Sequence, residues 1–265
     1  MATVSGGSGD DSLDGTTGDD SISGGAGDDL VTSQSGNDSI DGGPGNDTII
    51  AASGQNTVAG GDGNDTIEGG ADVDTVVFGG DKGDFTFALA TDGTLTVTDT
   101  NTNTALGVDT VSGVETLRFD DGDLTVTTAA GGKVTLTGSD LNDEITLVGS
   151  IAATLQGTGG DDTITGATGD DVLSGGSGSD TLDGGAGVDT IDYSASEGGV
   201  DLNLTTGTAS VSNDVDKISN IEDVIGSDYD DVLTGDAGGN TISGEVGVDA
   251  INGGAGDDAL FGGFD

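Results

Sequence analysis

The chain has 265 residues, 50 aspartates and glutamates against 4 lysines and arginines, and a formal net charge of −46 at pH 7. With no histidine and no cysteine it lacks an imidazole base and a thiolate nucleophile. Its cations, Lys82, Arg118, Lys133 and Lys217, are too dispersed to hold a nucleic-acid backbone, which so acidic a surface repels.

Low hydrophobicity at such a charge implies disorder, unless a bound cation or a thin-cored repeat offsets the chain entropy. At the N-terminus "MATVSGGSGDD" lacks the basic and apolar regions of a secretory signal. No later stretch approaches the ~20 apolar residues of a membrane span, so no membrane insertion is expected. From Gly6 to Val77 the chain divides into eight gapless nine-residue units: GGSGDDSLD, GTTGDDSIS, GGAGDDLVT, SQSGNDSID, GGPGNDTII, AASGQNTVA, GGDGNDTIE and GGADVDTVV. Periodicity of this kind marks a stacked repeat architecture. The first six positions are glycine-rich, suited to a tight turn, and close on Asp or Asn. The last three form a very short strand with one aliphatic residue at position eight: Leu13, Ile22, Val31, Ile40, Ile49, Val58, Ile67 and Val76. Residues 1–77 are expected to form a first roll.

Residues 78–137 break the period. Here "DFTFALATDGTLTVTD" alternates about Asp92–Gly93 as a hairpin does. "GVDTVSGVETLRFDDGDLTV" follows, offering Val108, Val111, Val114, Leu117 and Phe119 to a core. The partner of Arg118 stays open between Glu115, Asp120 and solvent. Residues 138–192 are expected to form a second roll, from the degenerate unit GSDLNDEIT through GTGGDDTIT, GATGDDVLS, GGSGSDTLD and GGAGVDTID. Residues 193–225 form a second insert, and 226–265 a third array: GSDYDDVLT, GDAGGNTIS, GEVGVDAIN, GGAGDDALF and "GGFD". Both inserts read as strands that cover or bridge the ends of the rolls.

A three-residue strand and a six-residue turn reverse the chain, so two units make one coil of 18 residues. Residue i then stacks on i+18 at ~4.8 Å, odd units building one parallel sheet and even units the other. The expected fold class is therefore all-β, a parallel β-roll whose thin core is the row of position-eight residues. Stacking also aligns Asp11, Asp29, Asp47 and Asp65 on one side, and Asp20, Asp38, Asn56 and Asp74 on the other. Carboxylates at that spacing repel by several kcal/mol in a low-dielectric setting, so a cation must lie between them. Calcium takes six to eight oxygens from carboxylates and carbonyls, whereas zinc wants the nitrogen or sulfur this chain lacks. Multiple calcium ions are the expected cofactor.

The spacing G-G-x-G-x-D-x-U-x resembles that of the RTX (repeats-in-toxin) family. That resemblance implies a right-handed parallel β-roll. It also implies an ion between turns 18 residues apart, held by the carbonyls of positions two and four plus Asp from one turn and of positions one and three plus Asp from the next. Carried over, one site uses Gly25, Gly27 and Asp29 with Gly42, Pro44 and Asp47. Another uses Gly43, Gly45 and Asp47 with Gly60, Asp62 and Asp65. A third uses Ala167, Gly169 and Asp171 with Gly184, Ala186 and Asp189. Equivalent positions extend the candidate ligands to Gly7, Gly9, Asp11, Gly18, Asp20, Gly24, Ala26, Asp38, Asp74, Asp162, Asp180, Asp231, Asp249 and Asp258. Asn56 and Asn240 replace the charged ligand, so weaker sites are expected there. Ser33–Gln34 and Ala51–Ala52 lack the glycine pair, which leaves their turn geometry open. The first insert is similar to an element that follows β-rolls in this family, and the second to inserts of serralysin-type C-terminal domains, without the protease's zinc helix.

The resemblance implies secretion by a type I system and folding outside the cell. No catalytic residues are expected, because the aspartates are committed to turns. The expected role is a calcium-binding structural protein of a filament, surface layer or matrix. The alternative is the folding and secretion module of a larger secreted enzyme or adhesin. The units run from residue 6 to the last residue, and "GGFD" joined to "MATVS" would complete one unit with Val4 at position eight. Head-to-tail self-association is therefore expected.

Overall fold

A computed structural model describes residues 1–128 and 133–264. Residues 129–132 of the first insert and Asp265 of the C-terminal "GGFD" lie outside the described residues. The chain divides into two compact units, residues 1–132 and 133–265. Among the described residues, no helix is long and apolar enough to cross a membrane.

In the first unit, β1 (Thr3–Ser5), β3 (Ser21–Ser23), β5 (Ser39–Asp41), β7 (Thr57–Ala59) and β9 (Thr75–Val77) form one parallel sheet. The other contains β2 (Ser12–Asp14), β4 (Leu30–Thr32), β6 (Thr48–Ile50) and β8 (Thr66–Glu68). The register steps by one coil, with Val4 on Ile22, Leu13 on Val31, Ile40 on Val58 and Ile49 on Ile67. Each strand holds a single inward residue, since side chains alternate faces. Ile22, Val31, Ile40, Ile49, Val58, Ile67 and Val76 are buried, while Leu13 on the first coil is half-covered.

The insert grows from the same two sheets. β10 (Phe85–Leu89) and β11 (Leu95–Asp99) form the expected hairpin, with Gly93 at φ +88° in its turn. β12 (Val108–Ser112) pairs antiparallel with β11 and parallel with β8, seating Val111 on Ile67. β13 (Thr116–Phe119) runs parallel to β9, with Leu117 on Val76, and pairs antiparallel with β14 (Gly122–Thr128). Phe78, Phe85 and Phe119 pack with ring centroids 5.1–5.5 Å apart. Lys82 is fully buried, its Nζ 3.1 Å from Asp121 Oδ1. Arg118 is exposed and grips Asp123 through two hydrogen bonds.

Val108 corrects the expected core. Alternation along β12 places Val111 inward, so Val108 faces solvent and Asp109 points in, 3% exposed. Val114, Leu117 and Phe119 are buried as expected.

The second unit repeats the plan. One sheet orders β15 (Val134–Thr137), β17 (Ala153–Gly159), β19 (Val172–Ser177), β21 (Thr190–Asp192), β25 (Asp223–Ile225), β27 (Thr241–Ser243) and β29 (Ala259–Phe261). The other runs β16 (Glu144–Val148), β18 (Thr163–Thr165), β20 (Thr181–Asp183), β24 (Asp214–Ser219), β23 (Thr208–Val211), β22 (Val200–Asn203), β26 (Val232–Thr234) and β28 (Ala250–Asn252). The insert β22–β23–β24 is antiparallel within itself, and its outer strands join the roll in parallel, β24 to β20 and β22 to β26. Position-eight residues stack throughout, as Ile164 on Leu182 and Leu233 on Ile251.

Candidate metal centre

Between stacked turns, alternate amides of one turn meet oxygens of the next. Gly25 N–H donates to Gly42 O at 3.0 Å and Gly27 N–H to Pro44 O at 2.9 Å. Asp29 N–H donates to Asp47 Oδ1 at 2.8 Å. One coil on, Gly43 N–H donates to Gly60 O, Gly45 N–H to Asp62 O, and Asp47 N–H to Asp65 Oδ1. This ladder needs left-handed backbone at positions two and four, and Gly25, Gly27, Gly43 and Gly45 have φ between +103° and +149°. A side chain on Gly43 would also strike the Gly25 carbonyl. Gln34 and Ala52, at φ +74° and +60°, keep the left-handed turn without glycine at position two.

The ladder uses only one oxygen of each aspartate. The Oδ2 atoms of Asp29, Asp38, Asp47, Asp65, Asp74, Asp162, Asp180, Asp189 and Asp249 are buried and have no hydrogen-bond partner. Burial is the main cause that pushes Asp65, Asp180 and Asp189 up to about 6, and Asp162 up to about 7. Asp47 and Asp74 are raised for the same reason. Asp20 shows the contrast. Its carboxylate accepts the amides of Ala2 and Thr16, and these hydrogen bonds hold it below its usual value.

Several of the orphaned oxygens face a cradle. A Cβ on Gly24 or on Gly42 would meet both its own turn's Asp Oδ2 and the position-one carbonyl of the next turn, Gly42 O or Gly60 O. Among the described residues no point gathers three or more acidic side chains. The turns offer stacked carboxylates plus main-chain carbonyls, an all-oxygen set that suits a hard cation of high coordination number such as calcium.

The candidate positions fall into two groups. Gly25, Gly27, Asp29, Gly42, Gly43, Pro44, Gly45, Asp47, Gly60, Asp62 and Asp65 come together in consecutive open turns. The turns of Asp38, Asp74, Asp162, Asp180, Asp189 and Asp249 also keep an unpartnered oxygen, whereas some others close on themselves. Asp11 Oδ2 accepts Gly7 N–H at 2.6 Å, Asp171 Oδ2 accepts Ala167 N–H at 3.1 Å, and Asp231 Oδ2 accepts Ser227 N–H at 2.8 Å. Gly7, Gly9, Gly18 and Gly169 are not among the residues of positive φ.

Asn56 supplies its own donor. Its Nδ2 donates to Ala51 O, Gly54 O and Asp74 Oδ1 at 3.0–3.1 Å, where neighbouring turns present an unpartnered oxygen. Asn56→Asp is expected to add one calcium ion per chain and to destabilise the calcium-free fold by about 1–3 kcal/mol. Atomic-emission analysis of gel-filtered protein checks the ion count, and an unchanged count would contradict it. Asn240 is likewise occupied, through Asp236 N–H and Glu222 O.

The carboxylate rows also extend into the inserts, which sequence reasoning missed. Asp109 Oδ1 accepts Asp65 N–H and Asp216 Oδ1 accepts Asp180 N–H, at 2.8 and 2.9 Å. Glu115 and Glu222 accept the amides of Asp74 and Asp189, both at 2.9 Å.

Comparison with known proteins agrees with the repeat. The family model described as the RTX calcium-binding nonapeptide repeat matches residues 5–40, 30–58, 41–76, 50–83, 156–191 and 225–260, together more than half of the chain. No curated protein matches. Among solved structures, the crystal structure of extracellular lipase LipA from Serratia marcescens is similar at 21% identity with a TM-score of 0.28. The match covers 78% of this chain, which spans 37% of that one.

Proposed function

The chain belongs to the RTX calcium-binding nonapeptide repeat family, and from that premise we propose that it is a secreted, non-catalytic structural protein whose rolls fold as they take up calcium and then associate end to end. The observation that carries the calcium half is the row of buried aspartate oxygens without partners, those of Asp29, Asp47, Asp74 and Asp162 beside a main-chain carbonyl of the next turn. RTX repeats bind several calcium ions per domain, and RTX proteins are typically exported by type I systems to the outside of the cell.

Association is supported by an apolar surface on the second unit that a further strand, of this protein or of another copy, would cover. Leu260, Phe261 and Phe264 are 46%, 56% and 79% exposed along β29 and the residues after it. Apolar strand edges of this kind accept a further strand. The second reading is a folding and export module of a larger secreted protein. It is favoured by the charge of −46, which opposes folding wherever calcium is scarce.

Sedimentation velocity in chelator and in millimolar calcium tests both halves. We expect a slow, expanded monomer in chelator and compact species larger than one chain in calcium. A compact monomer in calcium supports the module reading instead. Equal sedimentation in both conditions overturns the calcium-linked folding.

A further inference from the structure

The two inserts share a ten-residue element. Residues 108–117 read VDTVSGVETL and residues 215–224 read VDKISNIEDV, so that V-D-x-U-S-x-U-E-x-U holds in both, with U aliphatic. The nine-residue repeat hides this match, because the element replaces a six-residue turn with three residues. In each copy the first of these three is left-handed, Gly113 at φ +59° and Asn220 at φ +52°. The second, Val114 or Ile221, is buried, and the third is the glutamate.

The short turn copies the oxygens of a long one. In the first copy Gly70 N–H donates to Gly113 O at 3.1 Å, as Gly43 N–H donates to Gly60 O in the roll, while in the second Gly185 N–H turns to Asp183 Oδ1 at 3.2 Å. A Cβ on Gly69 would meet Gly113 O and Asp74 Oδ2, and one on Gly184 would meet Asn220 O and the Asp189 carboxyl carbon. These are the cradles found at Gly24 and Gly42. Asp74 and Asp189 are fully buried, and their Oδ2 atoms have no partner. The Glu115 and Glu222 carboxylates reach the amide positions where the next aspartate of a roll would be, the longer side chain spanning the shortened backbone.

We propose that each ten-residue element closes a calcium site of its own, with Glu115 and Gly113 O facing Asp74 in one unit, and Glu222 and Asn220 O facing Asp189 in the other. The inference rests on the calcium reading of the rolls and extends it beyond the nine-residue repeat. The inserts thereby extend the metal rows, so that a half-site at the end of a row is completed by the same chain. Asp216 takes a different part. Its Oδ2 accepts the Tyr193 hydroxyl at 2.7 Å, so a phenol partners that oxygen.

Glu115→Gln and Glu222→Gln test the proposal on the full-length chain. Glutamine keeps an oxygen to accept the Asp74 or Asp189 amide, so a purely structural role survives the change. Calcium content and titration in chelator-buffered calcium are compared for both variants, the wild type and Asp47→Asn, with circular dichroism at saturation confirming the fold. Each glutamine variant is expected to lose one ion per chain, or to need about tenfold more calcium to hold it, because affinity follows ligand charge. If wild-type protein binds calcium and Asp47→Asn weakens it, but both glutamine variants titrate as wild type, this proposal is overturned while the roll reading stands. A wild type without bound calcium overturns both.

Discussion

Stripped of calcium at about neutral pH, the protein is expected to lose most of its strand signal in far-ultraviolet circular dichroism, and to regain it when millimolar calcium is restored. The magnitudes decide this. Nine buried aspartate oxygens have no partner among the described residues. At about 1–3 kcal/mol for each such group, the cost is on the order of 10–25 kcal/mol. A typical domain is stable by only ~5–15 kcal/mol, and the rolls bury only one position-eight side chain per nine residues. Calcium reverses the balance, since each site contributes about 2.7 kcal/mol when the ion is at a hundredfold excess over its Kd. A spectrum unchanged by chelator would show that the rows of position-eight residues suffice alone.

Acid is expected to replace calcium in part. In the calcium-free fold, burial pushes Asp65, Asp180 and Asp189 up to about 6 and Asp109 and Asp162 up to about 7, from 3.8. The folded chain therefore binds protons more tightly than the unfolded chain between those values. The calcium-free fold is favoured most below the unfolded value near 4, and that advantage disappears as pH rises through 6 and 7. Calcium must displace the same protons. A site limited by a group at about 6 or 7 loses ~10-fold or ~100-fold in affinity at pH 5. Titrating calcium at several pH values, and following the chelated chain down to about pH 4, reads both effects. A calcium midpoint that does not move between pH 7.5 and pH 5 would exclude this account of the buried carboxylates.

Much of this was legible in the residues, for one physical reason. A coil of fixed length carries a fixed phase, so Ile22, Ile40 and Val58 had to fall in one row, with Asp29, Asp47 and Asp65 in another. Even Val4, outside the first complete unit, sits on Ile22 in that phase. Asp11, Asp171 and Asp231 occupy the repeat's ligand position, yet each is satisfied by an amide of its own turn. No spacing rule separates them from Asp47, because the difference lies in the backbone φ of the preceding turn residues.

Composition and period by themselves determined the all-β roll, its row of position-eight residues and the oxygen chemistry of its turns, since stacking of a strict repeat leaves no freedom in which residues align. The tertiary structure alone decided how the inserts join the rows. By side-chain chemistry Val108 has the stronger claim to face inward, until β12 registers Val111 on Ile67 and turns Asp109 in. Glu115 and Glu222 lie outside any nonad, and a three-residue turn brings each beneath a carboxylate distant in sequence. The row is continued there by chain geometry, which the nine-residue period does not encode.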